Sequence, residues 1–317
     1  MQRIALTLVL AGLACGGGSP GSDVLVPPEM PDAIDITDRV FSSRAVSCAD
    51  RVGSYYADVR DLGRNVAHRA EIQIEATDGG CVITSNSLPN HDFNDMGQFA
   101  TAAQAVTESF TIAASPEFAD APTPLSLRID NAIFLNGVKL DVRAAACYGV
   151  GNEPLGQERI GCNQDGTPWR YDPMHEANGF GTDSHHAHTQ PDGAYHYHGD
   201  PLAMYDASGA AQSGLVGFAA DGFPIYGPFI DEGGTVRRVR SGYTLKQGPR
   251  EPQVGEGAFP GGEPDGRYVD DWEWTDAGDL DVCNGMWRDG SYGYYITDTY
   301  PWVLGCFQGT PNPSFRK

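Results

Sequence analysis

The chain has 317 residues, 40% of them hydrophobic and 20% charged, enough for one large or two small globular domains with a real core. Asp and Glu outnumber Lys and Arg by 42 to 21, a net charge of -21. That sign repels phosphate backbones and anionic headgroups alike, which excludes nucleic acid as a partner.

The amino terminus reads MQRIALTLVLAGLAC. One Arg is followed by an apolar run of about ten residues, too short to span a bilayer and typical of a secretory signal. The run ends at Cys15, followed by Gly16, Gly17, Gly18 and Ser19, and resembles a lipobox with a tether behind it. Gly12 stands where leucine is usual, so ordinary signal cleavage is the alternative. Residues 1–15 therefore read as a signal peptide with Cys15 as the lipidation site. Residues 16–38, rich in Gly, Pro, Ser and Asp without an apolar period, read as a flexible tether. The expected location is exported: an outer-membrane or cell-surface lipoprotein, or alternatively a periplasmic or extracellular protein. Membrane contact is expected only through the lipid.

Residues 39–317 read as a single β-rich domain. Short β-forming runs at 70–76, 81–86, 108–114, 132–142, 215–227 and 292–298 alternate with Gly, Pro, Asn and Asp clusters. The best helix candidate is NDMGQFATAAQAV at 94–106, interrupted by Gly97. The expected class is mainly β: a disulfide-stapled β-sandwich or barrel-like domain with hairpins and few short helices.

Without Cys15, six cysteines remain: Cys48, Cys81, Cys147, Cys162, Cys283 and Cys306. An even number in an exported chain makes disulfides the default, with about fifteen connectivities open. Pairing neighbours along the chain is the short-loop solution. A thiolate metal site is disfavoured because no C-x-x-C spacing occurs.

Two hairpins follow from their turns. In LVGFAADGFPIYG, Asp221-Gly222 is a two-residue type I′ signal, and Pro224 confines the second arm to an edge or a bulge. In HAHTQPDGAYHYH, Pro191, Asp192 and Gly193 suit a three-residue loop, which places His188 opposite His196 and His186 opposite His198. Opposed residues share a face, so this register gathers four imidazoles on one side and Ala187, Tyr195 and Tyr197 on the other. Imidazole is the commonest ligand of transition metals, and such a face suits copper or zinc. The competing reading is a set of partly solvated histidines in an aromatic strand. His175 and His185 are expected at solvent-exposed positions.

QPDGAYHYHG, LVGFAADGFPIYGPF, VCNGMW and TDTYPWVLGCFQG together resemble the YHYH-domain family of secreted proteins, over about residues 130–308. The resemblance implies an exported β-rich domain with a metal or redox site and no particular reaction. Its motif falls on His188, Tyr195, His196, Tyr197 and His198, with Asp221, Gly222, Pro224 and Tyr226 in the second part. The third part falls on Cys283, Asn284, Gly285, Gly305 and Cys306. His186 is extra relative to this pattern. An internal echo aligns DGAYHYHG (192–199) with DGSYGYYI (289–296), so Gly293 and Tyr295 stand where His196 and His198 stand. A second metal centre is not expected there.

Three functions fit these residues. A metalloenzyme would hold copper or zinc on three histidines and keep a position open, with Asp183, Asp192 or Glu176 as the nearest candidate bases. A non-catalytic surface protein would only bind the ion. A structural or glycan-binding domain would use Trp169, Trp272, Trp274, Trp287 and Trp302, its small-molecule or glycan ligand unspecified. H-E-x-x-H, G-x-S-x-G and phosphate-binding glycine loops are all absent from the sequence. Blue copper needs a free cysteine that the disulfide reading leaves no room for.

Overall fold

Strict alternation builds the first sheet. Along Val66–Thr77, Ala70, Ile72 and Ile74 are buried while their neighbours are not. Val59 and Ala57 do the same on one adjoining strand, Cys81 and Ile83 on the other. The computed structural model describes residues 32–317, which fold as one unit. The signal peptide, the Cys15 lipidation site and the tether up to residue 31 lie outside the described residues.

The first sheet runs in the order β1 (Ile34–Asp35), β2 (Gly53–Asp61), β3 (Val66–Thr77), β4 (Gly80–Ser85), β5 (Glu108–Ala113). β1 corrects the expected tether boundary at 38, because Ile34 and Asp35 already pair with Tyr55 and Tyr56. β2 was not among the expected runs. Its apolar residues are interleaved with Ser, Asp and Arg, and the long ladder with β3 holds them.

The second sheet has eight strands. These are β7 (Ala132–Phe134), β8 (Lys139–Leu140), β9 (Ala187–Thr189), β10 (Tyr195–Tyr197), β11 (Leu215–Ala219), β12 (Pro224–Tyr226), β17 (Gly285–Arg288) and β18 (Ser291–Tyr295). Their order is β17-β18-β12-β11-β7-β8-β10-β9. Three two-stranded ribbons complete the chain. They pair β6 (Thr123–Pro124) with β19 (Cys306–Phe307), β13 (Phe229–Glu232) with β14 (Thr235–Arg238), and β15 (Tyr243–Leu245) with β16 (Trp272–Trp274).

One core cluster spans the two large sheets: Ile72, Ile83 and Phe110 from the first, Phe134 and Tyr197 from one face of the second, and Ile133 and Phe218 from its other face. Ser85 Oγ and the Gly137 carbonyl meet between them. Both sheets keep free edges, so the barrel-like alternative does not hold among the described residues and the sandwich-like one does. Helical structure among the described residues is confined to four short 3-10 turns. The short-loop disulfides form as Cys48–Cys81, Cys147–Cys162 and Cys283–Cys306.

Three local expectations are corrected. Residues 94–106 form no helix. Asn94 and Gly97 are left-handed, with φ of 55° and 65°. Phe99 and Ala103 instead drop into the core, while Gln104 N–H donates to the Gly193 carbonyl at 3.0 Å. The Asp221-Gly222 turn is one residue longer than expected. Ala219 N–H donates to the Phe223 carbonyl, leaving Ala220, Asp221 and Gly222 as the loop, and only Gly222 (φ 89°) is left-handed. The two-residue loop occurs instead at Asp289-Gly290, where both residues are left-handed, between paired Arg288 and Ser291. Pro224 sits in an interior strand and not at an edge, while the bulge falls in its hairpin partner, between Leu215 and Gly217. Pro224 is tolerated as its strand's first residue because pairing to β18 starts one residue later, at Ile225.

The eight strands are two copies of one four-strand unit. The β7–β8 hairpin turns at Asn136-Gly137 as the β11–β12 hairpin turns at Asp221-Gly222, with Gly137 at φ 80°. β10 then adds parallel to β8, and β18 adds parallel to β12. Each is flanked by its own antiparallel partner, and the copies join where β7 meets β11. Pairing Leu140 with Tyr197 and Ile225 with Tyr294 makes those tyrosines equivalent, in agreement with the echo in the sequence.

Candidate metal centre

The β9–β10 hairpin has the register that its turn dictates. Gln190 N–H donates to the Ala194 carbonyl at 2.8 Å, and Gly193 is left-handed at φ 95°. His196 pairs with His188, and Tyr197 pairs with Ala187. Tyr195, Tyr197 and Ala187 point into the core and are fully buried.

His186 does not complete a four-histidine face. The strand ends at Ala187, and His186 is left-handed with φ 58°. Its carbonyl still accepts from His198 N–H at 2.9 Å, but its Nδ1 turns to the Asp200 carbonyl at 2.7 Å.

Three rings converge. One nitrogen from each of His188, His196 and His198 lies within 4.8 Å of the other two. His198 Nε2 is 3.2 Å from His196 Nε2 and 3.1 Å from His188 Nε2. Two ligands about 2.0–2.1 Å from one tetrahedral zinc would stand about 3.3–3.4 Å apart, so this spacing fits a single ion.

The outer hydrogen bonds decide which nitrogens face inward. His188 Nδ1 lies 2.8 Å from the Phe180 carbonyl and His198 Nδ1 lies 2.6 Å from the Asp141 carbonyl. A carbonyl can only accept, so each Nδ1 carries the hydrogen and each Nε2 presents a bare lone pair. Lone pairs 3.1 Å apart repel unless a positive charge lies between them.

A proton is disfavoured in that place. Burial holds His196 well below its ordinary pKa, reinforced by His198 and His188, and it holds His198 well below for the same reason, reinforced by His188. His188 is lowered by burial too, against the Phe180 carbonyl and the carboxylates of Asp183 and Asp141. His196 and His198 are each 4% exposed, while His188 is half-buried and marks the side of approach.

The second four-strand copy separates scaffold from site. Asp183 Oδ1 accepts from His185 and Ala187 N–H, and its Oδ2 accepts the Tyr195 hydroxyl at 2.9 Å. Asp281 repeats this with Cys283 and Gly285 N–H and with the Tyr292 hydroxyl at 2.9 Å. Tyr197 Oη accepts from Asn136 Nδ2 at 2.9 Å, and Tyr294 donates to Asp221 at 2.6 Å. His186 corresponds to left-handed Asn284, whose carbonyl accepts from Tyr295 N–H at 3.1 Å. Tyr195, Tyr197, Asp183, Asp221 and His186 are therefore framework present in both halves. His188, His196 and His198 are not repeated; Met286, Gly293 and Tyr295 stand in their places.

The other expected residues fall outside the cluster. Asp192 is exposed and caps its own turn through Ala194 N–H, and Glu176 is exposed on the 3-10 turn Glu176–Asn178. Neither they nor Asp183 joins the three rings. His175 and His185 are half-buried, with the His185 ring tilted against His91 at a centroid distance of 3.8 Å. Tyr226 stacks on Tyr295. Trp169 is buried, Trp272 stacks on Tyr300 and Trp302 Nε1 donates to Asp172, while Trp274 and Trp287 are exposed.

Sequence reasoning missed His91, whose Nε2 accepts from Tyr197 at 2.7 Å, and the carbonyls of Phe180 and Asp141. A backbone carbonyl leaves no mark in a sequence, since any residue supplies it.

Compared with known proteins, residues 109–309 match the family described as "YHYH protein". No curated protein and no solved structure matches the chain.

Proposed function

This chain belongs to the YHYH protein family, and we propose that it is an exported metal-binding protein in which His188, His196 and His198 hold one transition-metal ion, copper or zinc. The observation that carries this reading is the pair of inward Nε2 lone pairs, set by outward Nδ1–H bonds to two carbonyls. Three protein ligands leave a fourth position for water or a small molecule, and a bound ion supplies Lewis-acid or redox chemistry there. Asp141 and Phe180 orient the rings, and burial keeps them neutral.

The exported setting is supported by the disulfides, which persist in oxidising compartments. No helix among the described residues is long and apolar enough to cross a membrane.

Elemental analysis of protein purified from its native exterior tests the proposal. One copper or zinc per chain, lost in His196→Ala, is the expected result. Wild-type protein that takes up neither ion on titration with both would refute it.

A further inference from the structure

The second four-strand copy raises its own question: what occupies the place where the first copy gathers its imidazoles. Gly293 stands at the His196 position, Tyr295 at the His198 position and, by the register of β8 and β12, Tyr226 at the Asp141 position. A Cβ on Gly293 would lie 2.6 Å from Tyr226 Cε2, so the Tyr226 ring fills the volume a histidine would need. Tyr226 and Tyr295 stack at 5.2 Å and 29°. The Arg44 guanidinium lies over the Tyr226 ring, 4.2 Å from its centroid, and its Nη1 donates to the Ser213 carbonyl at 2.7 Å.

We propose that this second half is a cation site filled by the chain's own Arg44, a guanidinium standing where the first half is built for a metal ion. The Tyr226 face offers negative electrostatic potential in place of imidazole lone pairs. Burial raises the Tyr295 phenol, and a hydrogen bond from Arg44 opposes that rise. Arg44 also pins the segment ahead of Cys48 to the sheet, where Phe41 N–H donates to Met204 and Ser43 accepts from Leu215 N–H, both at 2.9 Å. On the reading of the first half as a metal centre, the second half therefore holds no ion of its own, and the vacated Tyr226 face of an Arg44→Ala variant recognises small guanidinium cations.

Chemical rescue tests this. Arg44→Ala should lower Tm by about 2–4 °C, the shift expected for losing one partly desolvated cation–π contact. Millimolar methylguanidinium should restore most of that loss, whereas urea at equal concentration, neutral and similar in shape, should restore none. Arg44→Lys, which keeps the charge, should fall between the two. An unchanged Tm in Arg44→Ala, or equal responses to methylguanidinium and urea, would overturn the proposal. So would a second wild-type metal site that survives His196→Ala. The rescue arm involves none of the three histidines, so a metal-free wild type would refute the metal reading and leave this one standing.

Discussion

His91 lies beneath the histidine hairpin, on the Tyr197 side, and its protonation offers a quantitative test of the packing. Nδ1–H donates to the Asp92 carbonyl and Nε2 accepts from the Tyr197 hydroxyl, so both nitrogens are committed in the neutral ring. Burial, with the neighbouring His185 ring, lowers its pKa from 6.5 to about 3. In the unfolded chain the ring takes up a proton near pH 6.5, and in the folded chain it does not until near 3. The unfolded state therefore binds more protons throughout that window, and stability falls as pH drops through it. Well inside the window each pH unit costs about 1.4 kcal/mol per histidine, and because the unfolded ring is only half protonated at pH 6.5, descending from there to about pH 4.5 removes about 2 kcal/mol. Asp130 and Asp172, raised by burial to about 6, act in the opposite sense over part of the same range. Comparison of wild type with His91→Gln cancels those carboxyls. Urea denaturation with a chelator present, at half-unit steps between pH 7 and 4.5, should show wild type losing about 2 kcal/mol more than the variant. Parallel stability profiles for the two proteins would show that His91 is not held neutral, and the reasoning would fail.

Other outcomes follow from the same geometry. His188→Ala, His196→Ala and His198→Ala should each abolish most metal uptake in a titration, while His186→Ala retains it because its ring is turned to Asp200. Metal should be retained below pH 6.5, where free histidine would release it, because burial lowers all three rings and delays proton competition; release tracked by a metal indicator that begins at 6.5 would contradict this. Tyr195→Phe should leave metal content unchanged and cost about 1–2 kcal/mol in chemical denaturation, since Asp183 loses one donor and keeps Asn94 N–H. Replacing Cys147 and Cys162 together by Ser should cost about 3 kcal/mol for a loop of 15 residues and weaken metal affinity, because Arg159 inside that loop packs over the Phe180 ring and donates to the Gly179 carbonyl, next to the carbonyl that orients His188. Denaturation and metal titration of that variant read both effects.

The hairpin register was legible in the sequence because both of its causes are local. Pro191-Asp192-Gly193 sets the loop length, and a period of two then places His188 against His196 and sends Tyr195 and Tyr197 the other way. The disulfides were legible for the same reason, each joining cysteines adjacent along the chain. What the sequence left open was decided by groups distant in the chain. His186 leaves the metal face because His198 N–H and the Asp200 carbonyl fix it in a left-handed turn. Residues 94–106 carry a helical apolar pattern, yet Asp61, Asp183 and Gly193 capture their backbone and side chains into an extended path. The tautomers of His188 and His198 depend on the carbonyls of Phe180 and Asp141, 8 and 57 residues away. The echo between 192–199 and 289–296 showed that the second copy had lost its histidines, but only packing revealed Tyr226 and Arg44 in the space they left. Side-chain alternation and turn length act over a few residues and are written in order along the chain. Burial, proton placement and the filling of a vacated volume depend on which distant atoms arrive, and these only folding brings together.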